Sequence, residues 1–243
     1  MMELPGLSGP IVLMNGLDAF LVGGLAQSSL LLAGLAVYWI RPSVKVIGSL
    51  AGFGAGALIA AVAFDLIPQA EELVEWETAI WLLLGALIFV VADNFVEKRF
   101  GAGDDAGPLG IVVGSVVDGV PESIIFGIQI ASGQVLGAAF IGAVFISNIP
   151  QALAPSAALA QSGWRRGRVA TMWGVVVLAC AVTAWLGYLG GTALDAVGGR
   201  AAAIAAGGLL AMLTDSLMPY AMEKGGSQAG VWTVVGFAAA LGA

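Results

Sequence analysis

The sequence predicts an all-α integral membrane protein with eight transmembrane helices. Three observations carry this. Of the 243 residues, 59% are hydrophobic and only 10% charged, against about 25% charged in a typical soluble domain. Apolar runs of roughly twenty residues, the length that crosses a hydrocarbon core, follow one another with short breaks. The basic residues collect in alternate breaks, as they do in loops that stay on one side of a membrane. The 36 glycines suit helices that pack in lipid, where small residues let backbones approach. The alternating pattern of a membrane β-barrel is absent.

In chain order the spans are expected near Gly16–Ile40, Val46–Pro68, Ala79–Val96, Leu109–Ala131, Val135–Ala160, Val169–Leu194, Ala201–Met222 and Val231–Ala243. Residues 1–243 then form one transmembrane domain with no room for a second. Met1 to Asn15 carries Glu3 but no Lys or Arg, unlike a cleavable signal, so the first apolar run is expected to stay as a span. Arg41 and Lys45 follow span one, Lys98 and Arg99 span three, Arg165, Arg166 and Arg168 span five, and Lys224 span seven. Only Arg200 falls in an even-numbered loop, and the loop after span two is acidic, with Glu71, Glu72, Glu75 and Glu77. Both termini are therefore expected outside.

Internal similarity relates spans that run in opposite directions. Gly56-Ala-Leu-Ile-Ala-Ala and Asp65-Leu-Ile-Pro68-Gln-Ala70 of span two match Gly207-Gly-Leu-Leu-Ala-Met and Ser216-Leu-Met-Pro219-Tyr-Ala221 of span seven. Asp118-Gly-Val-Pro121-Glu122 of span four matches Ser147-Asn148-Ile-Pro150-Gln151 of span five at a constant offset of 29. Matches between antiparallel spans predict inverted-topology repeats, which bind substrate near the midplane at interrupted helices. Spans four and five are where that site is expected.

The residue types there suit a hard cation. Asp118 and Glu122 are one turn apart on a helix face, and an ionised carboxylate at the bilayer centre costs about 2.5–3.5 kcal/mol. The neighbouring spans offer no Lys or Arg, which leaves a bound cation or shared protons as compensation. Pro121, Pro150 and Pro155 release the carbonyls of Val117, Ile146 and Gln151, and Asn148 and Gln151 add side-chain oxygens. Such oxygens coordinate hard cations; the alternative is a set of kinked helices whose polar groups bond to each other. Asp65, Ser147 and Asp215 are candidates for a transport pathway, the two aspartates lining an entry route or sitting near the interface. Asp93 and Asn94 are expected at the interface. Asp104 and Asp105 belong to a flexible linker, 101–108.

The net charge of −7 offers no basic patch for nucleic acid. The lone cysteine, Cys180, excludes a disulfide framework or a cysteine metal cluster. No Gly-x-x-x-x-Gly-Lys motif supports ATP-driven pumping. An aspartyl hydrolase using Asp93 or Asp65 with Asp118 would need facing aspartates and a water route; no enzyme activity and no permanent cofactor are expected.

The eight spans, the proline motifs of spans four and five, and the Leu-x-Pro-x-Ala endings of spans two and seven together resemble the ZIP family of divalent-metal transporters. Asp118-Gly-Val-Pro-Glu-Ser123 is similar to that family's His-Asn-x-Pro-Glu-Gly, and Asn148-Ile-Pro-Gln-Ala152 to its Asn-x-Pro-Glu-Gly. The resemblance implies a divalent metal ion (zinc, manganese, iron or similar) as substrate, passing a site at Asp118, Glu122, Asn148 and Gln151, in a homodimer. The chain departs from the pattern at Asp118, Gly119 and Gln151, has no histidine, and carries Ala184 or Trp185 where many members have a glutamate. Carboxylate in place of imidazole shifts preference toward manganese, magnesium or iron(II). The alternatives are a proton-coupled carrier of a non-metal solute and a non-transporting sensor or scaffold.

Overall fold

A computed structural model of the protein describes residues 15–70, 73–100, 108–131, 133, 138–193 and 198–241. Among these, every regular element is helical. Seven helices are long and apolar enough to cross a membrane, and an eighth is apolar but shorter, so the protein is an all-α, multi-pass membrane protein. Segment 1–14, the loop residues Glu71 and Glu72 and the linker aspartates Asp104 and Asp105 lie outside the described residues.

Local chemistry sets the helix ends. Helix α1 (Gly16–Ala36) begins at a capping box: Asn15 Oδ1 accepts from the Leu17 and Asp18 N–H groups, and Asp18 Oδ2 accepts from the Asn15 N–H at 2.6 Å. It stops short of the expected Ile40, before Pro42, which disfavours helix in the residue preceding it. Ser43 caps α2 (Val44–Ala61), accepting from the Val46 N–H. Helix α3 (Glu75–Phe100) overruns the expected Ala79–Val96 at both ends. Glu75 and Glu77 in its first turn and Lys98 and Arg99 in its last oppose the helix dipole and favour the extra turns. Helices α4 (Pro108–Ala131), α5 (Ala138–Gln161) and α6 (Arg166–Ala193) follow. The seventh span is α7 (Gly198–Met212) continued by α8 (Met218–Gly225). Gly226, with φ +59°, ends α8, and α9 (Ser227–Leu241) starts four residues before the expected Val231. Its 15 residues rise roughly 22 Å, less than a core of about 30 Å.

The interruptions differ from expectation. Helices α4 and α5 run unbroken across Pro121, Pro150 and Pro155, whereas spans two and seven each widen into one π-helical turn, Val62–Leu66 and Leu213–Leu217. The Ile67 N–H reaches back five residues to the Val62 carbonyl at 2.9 Å, and the Met218 N–H does the same to Leu213. In each span the next residue is proline, Pro68 or Pro219, whose ring crowds the carbonyl four residues earlier and relieves the crowding by widening the turn.

Packing follows from glycine. A Cβ on Gly56 would lie 1.8 Å from the Thr233 carbonyl oxygen, and one on Gly236 2.0 Å from that of Phe53, so α2 and α9 touch backbone to backbone. Gly85 and Gly207 do the same for α3 and α7, against the Ile204 and Leu82 carbonyls. Helix α1 packs on α5 and α6, α4 on α6 and α7, and α2 on α5 as well as α9. Helix α3 is peripheral and presents Leu83, Leu87, Val91 and Phe95 outward. Arg166 stacks on Trp39, which puts the end of α1 and the start of α6 at one end of the bundle; the Arg200–Glu77 ion pair at 2.8 Å joins the starts of α3 and α7.

Replacing Gly85 with Ala is expected to cost at least about 1–3 kcal/mol and to lower the thermal unfolding midpoint of the purified protein. Gly114→Ala, where a Cβ meets no atom within 4 Å, is the control and should change it little. Equal midpoints would show that α3 and α7 do not meet this closely.

Candidate functional site

The centre of the bundle holds a buried polar network built from three spans. Glu122 of α4 is 1% exposed, Asn148 of α5 2%, and Gln27 of α1 0%. Gln27 Nε2 donates to Glu122 Oε2 at 2.8 Å, and Asn148 Nδ2 donates to Gln27 Oε1 at 2.9 Å. The chain of bonds runs one way: Asn148 gives to the Gln27 oxygen, the Gln27 NH2 gives to Glu122, and Glu122 Oε2 ends it as the acceptor. Gly119 makes room for this. A Cβ there would lie 2.6 Å from Cys180 Sγ and 3.6 Å from both polar atoms of the Gln27 amide.

The network leaves Glu122 half satisfied. A hydrogen bond to a charged group contributes about 1.5–3 kcal/mol, comparable with the cost of one carboxylate in the membrane interior. Glu122 Oε1 nevertheless stays buried with no partner, as does Ser123 Oγ beside it on α4. Cys180 of α6 lies against Ser123.

Asp118, one turn from Glu122 and partly exposed, links this network to further carboxylates. It is near enough to Asp93 of α3 and Asp215 of the second π turn to feel both charges, and Glu122 feels that of Asp118. The Asp93 and Asp215 carboxyl groups are near each other. Asp93 faces the seventh span, while its neighbour Asn94 is exposed and bonds to the Val90 carbonyl. Asp215 is exposed.

The remaining candidates stay outside the network. Gln151, one turn beyond Asn148, is partly buried and shares no hydrogen bond with Gln27, Glu122 or Asn148. Ser147 Oγ donates to the Val144 carbonyl at 2.9 Å, and its backbone packs against Gly54 of α2. Asp65, in the first π turn, has Oδ2 buried without a partner, and its main-chain carbonyl accepts from Gln69 Nε2 at 2.7 Å. Among the described residues no three His, Cys, Asp or Glu side chains are grouped so as to hold a metal ion. Any cation here would combine Glu122 Oε1 or Asp118 with amide and carbonyl oxygens, the donor set that hard ions accept.

Gln27 is the residue that sequence reasoning missed. Its signal was local: a long polar side chain within an apolar span, where such groups are rare and seek a partner. The partner sits 95 residues away, which no spacing reveals.

Gln27→Leu should leave the Glu122 carboxylate and the Asn148 amide without partners, at a cost of about 2–4 kcal/mol. Combining it with Glu122→Leu should be less damaging than the two single effects added. A double-mutant cycle on thermal stability is expected to give a coupling of about 1–3 kcal/mol; strict additivity would remove the bond from the account.

No protein-family model matches the chain, and no curated protein matches it.

Proposed function

We propose that the protein moves a divalent metal cation across the bilayer, with Glu122 and Asp118 supplying charge and Asn148 a neutral oxygen. The observation that carries this is Glu122: a carboxylate buried among apolar helices with one oxygen held by Gln27 and the other unpartnered. A cation supplies what that oxygen lacks. The adjoining carboxylates of Asp118, Asp93 and Asp215 give it a route, because each step passes between groups that repel one another and attract the ion. Gln151, Ser147 and Asp65 enter the proposal only as second contacts along the path.

The resemblance to the ZIP family belongs to the same proposal, and with it inverted repeats. It is supported by two π turns 151 residues apart, each followed by proline, and by paired neighbours. Helices α4 on α6 and α5 on α1 correspond, as do α2 on α9 and α7 on α3, and α2 on α5 and α7 on α4. With eight alternating crossings, spans two and seven run oppositely, as inverted repeats require. In this scheme both termini lie outside the cell membrane, a reading supported by the distribution of Lys and Arg. A homodimer is part of the family expectation.

A second reading is favoured by the scarcity of ligands: with no three His, Cys, Asp or Glu side chains grouped together among the described residues, the same carboxylates suit proton carriage coupled to a non-metal solute. Flux into proteoliposomes decides between them. Manganese, zinc, iron(II), cadmium and magnesium should be compared with Glu122→Ala and Asp118→Ala. Saturable metal flux that falls at least about tenfold in both variants, with folding intact, is the expected result. Absence of flux for every metal would sink the metal reading, and proton movement lost in the same variants would establish the second.

A further inference from the structure

We propose that the basic and aromatic residues where α1 ends and α6 begins form a binding site for the phosphate headgroup of an anionic phospholipid. The site is assembled from two distant stretches of chain. Tyr38 Oη donates to the Trp164 carbonyl at 2.6 Å, which ties the end of the first span to the turn before the sixth. The Arg166 guanidinium lies 4.4 Å from the Trp39 ring centre and 5.5 Å from that of Tyr38, and the Arg168 guanidinium lies 4.1 Å from the Trp164 ring centre.

Stacking occupies the flat face of a guanidinium and leaves its N–H edge free for a planar or tetrahedral oxyanion. Among the described residues nothing takes that edge. Among the described residues no carboxylate pairs with Arg165, Arg166 or Arg168, all of which are exposed. Arg200 at the other end of the bundle is the contrast: it also lies near an indole, Trp81, but Glu77 neutralises it. Three unneutralised arginines within four residues, with Arg41 two residues beyond Trp39, repel one another and attract an anion.

Position identifies which anion. Trp39 is 65% exposed and followed by exposed Ile40 at the end of a membrane-spanning helix, the depth at which tryptophan rings settle between acyl chains and headgroups. An oxyanion held by Arg166 is therefore next to an apolar surface that a lipid tail covers and a free phosphate does not. Basic clusters beside a span attract anionic lipid through the same charge. The neighbouring N-terminus of α6 adds partial positive charge to the same place.

Native mass spectrometry of the full chain in detergent tests this with phosphatidylglycerol, phosphatidylcholine and inorganic phosphate as probes. Phosphatidylglycerol is expected to be retained in preference to phosphatidylcholine. Arg166→Gln with Arg168→Gln should lower its retention roughly tenfold, and Arg200→Gln should leave it unchanged. Trp39→Leu keeps every charge but removes the face that orients Arg166, so it should weaken retention in part. Arg166→Lys with Arg168→Lys preserves charge but not the planar guanidinium edge, and serves if the glutamine pair fails to fold; its retention should fall below that of wild type. Equal retention of the two lipids, or retention unchanged in the folded arginine variants, overturns the proposal. Displacement of the lipid by inorganic phosphate at matched concentration would make this a free-anion site and overturn it too.

Discussion

Everything distinctive about the interior depends on burying one carboxylate, Glu122, in a bundle whose other contents are mostly apolar. Lipid and Ala-rich helices cannot solvate it, so the protein brings an amide from another span to it. That requirement draws α1, α4 and α5 together through Gln27 and Asn148. It also accounts for Gly119, since a larger residue would occupy the space through which the Gln27 amide and Cys180 approach α4. Because one donor cannot satisfy two oxygens, the network ends on an unpartnered acceptor, and the interior is left receptive to a positive charge.

Around this centre the bundle is held by backbone approach. Helices in lipid gain little from apolar burial and associate where small residues allow van der Waals contact along their length. The α2–α9 and α3–α7 contacts meet that condition through glycines opposing main-chain carbonyls. The π turns of spans two and seven are the other departure from regular helix. They change which residues face inward beyond that point, and the second of them carries Asp215 toward Asp93.

The two ends of the bundle differ in how they treat positive charge. At the start of α7 a single arginine is neutralised by Glu77. At the start of α6 the arginines rest on aromatic rings instead, which orients them without discharging them. Aromatic support therefore leaves a recognition surface where a salt bridge would have removed one.

By itself the sequence determined the class and the partition of the chain. Apolar run length responds only to bilayer thickness, so the spans were legible within a few residues, and proline announced distortion because its missing N–H is a local fact. The location of that distortion was not legible: Pro121, Pro150 and Pro155 sit in unbroken helices, while Pro68 and Pro219 follow π turns, because neighbouring helices decide whether the crowding is absorbed. Glu122, Asp118 and Asn148 stood out as polar residues in apolar runs. Gln27 did not, and the nearness of Asp93 and Asp215 to Asp118 was not legible, since these groups come from spans remote in sequence. Pairing a buried charge is a matter of which helices pack together, and that is settled by the close contacts of whole helix faces, which only the tertiary structure decided.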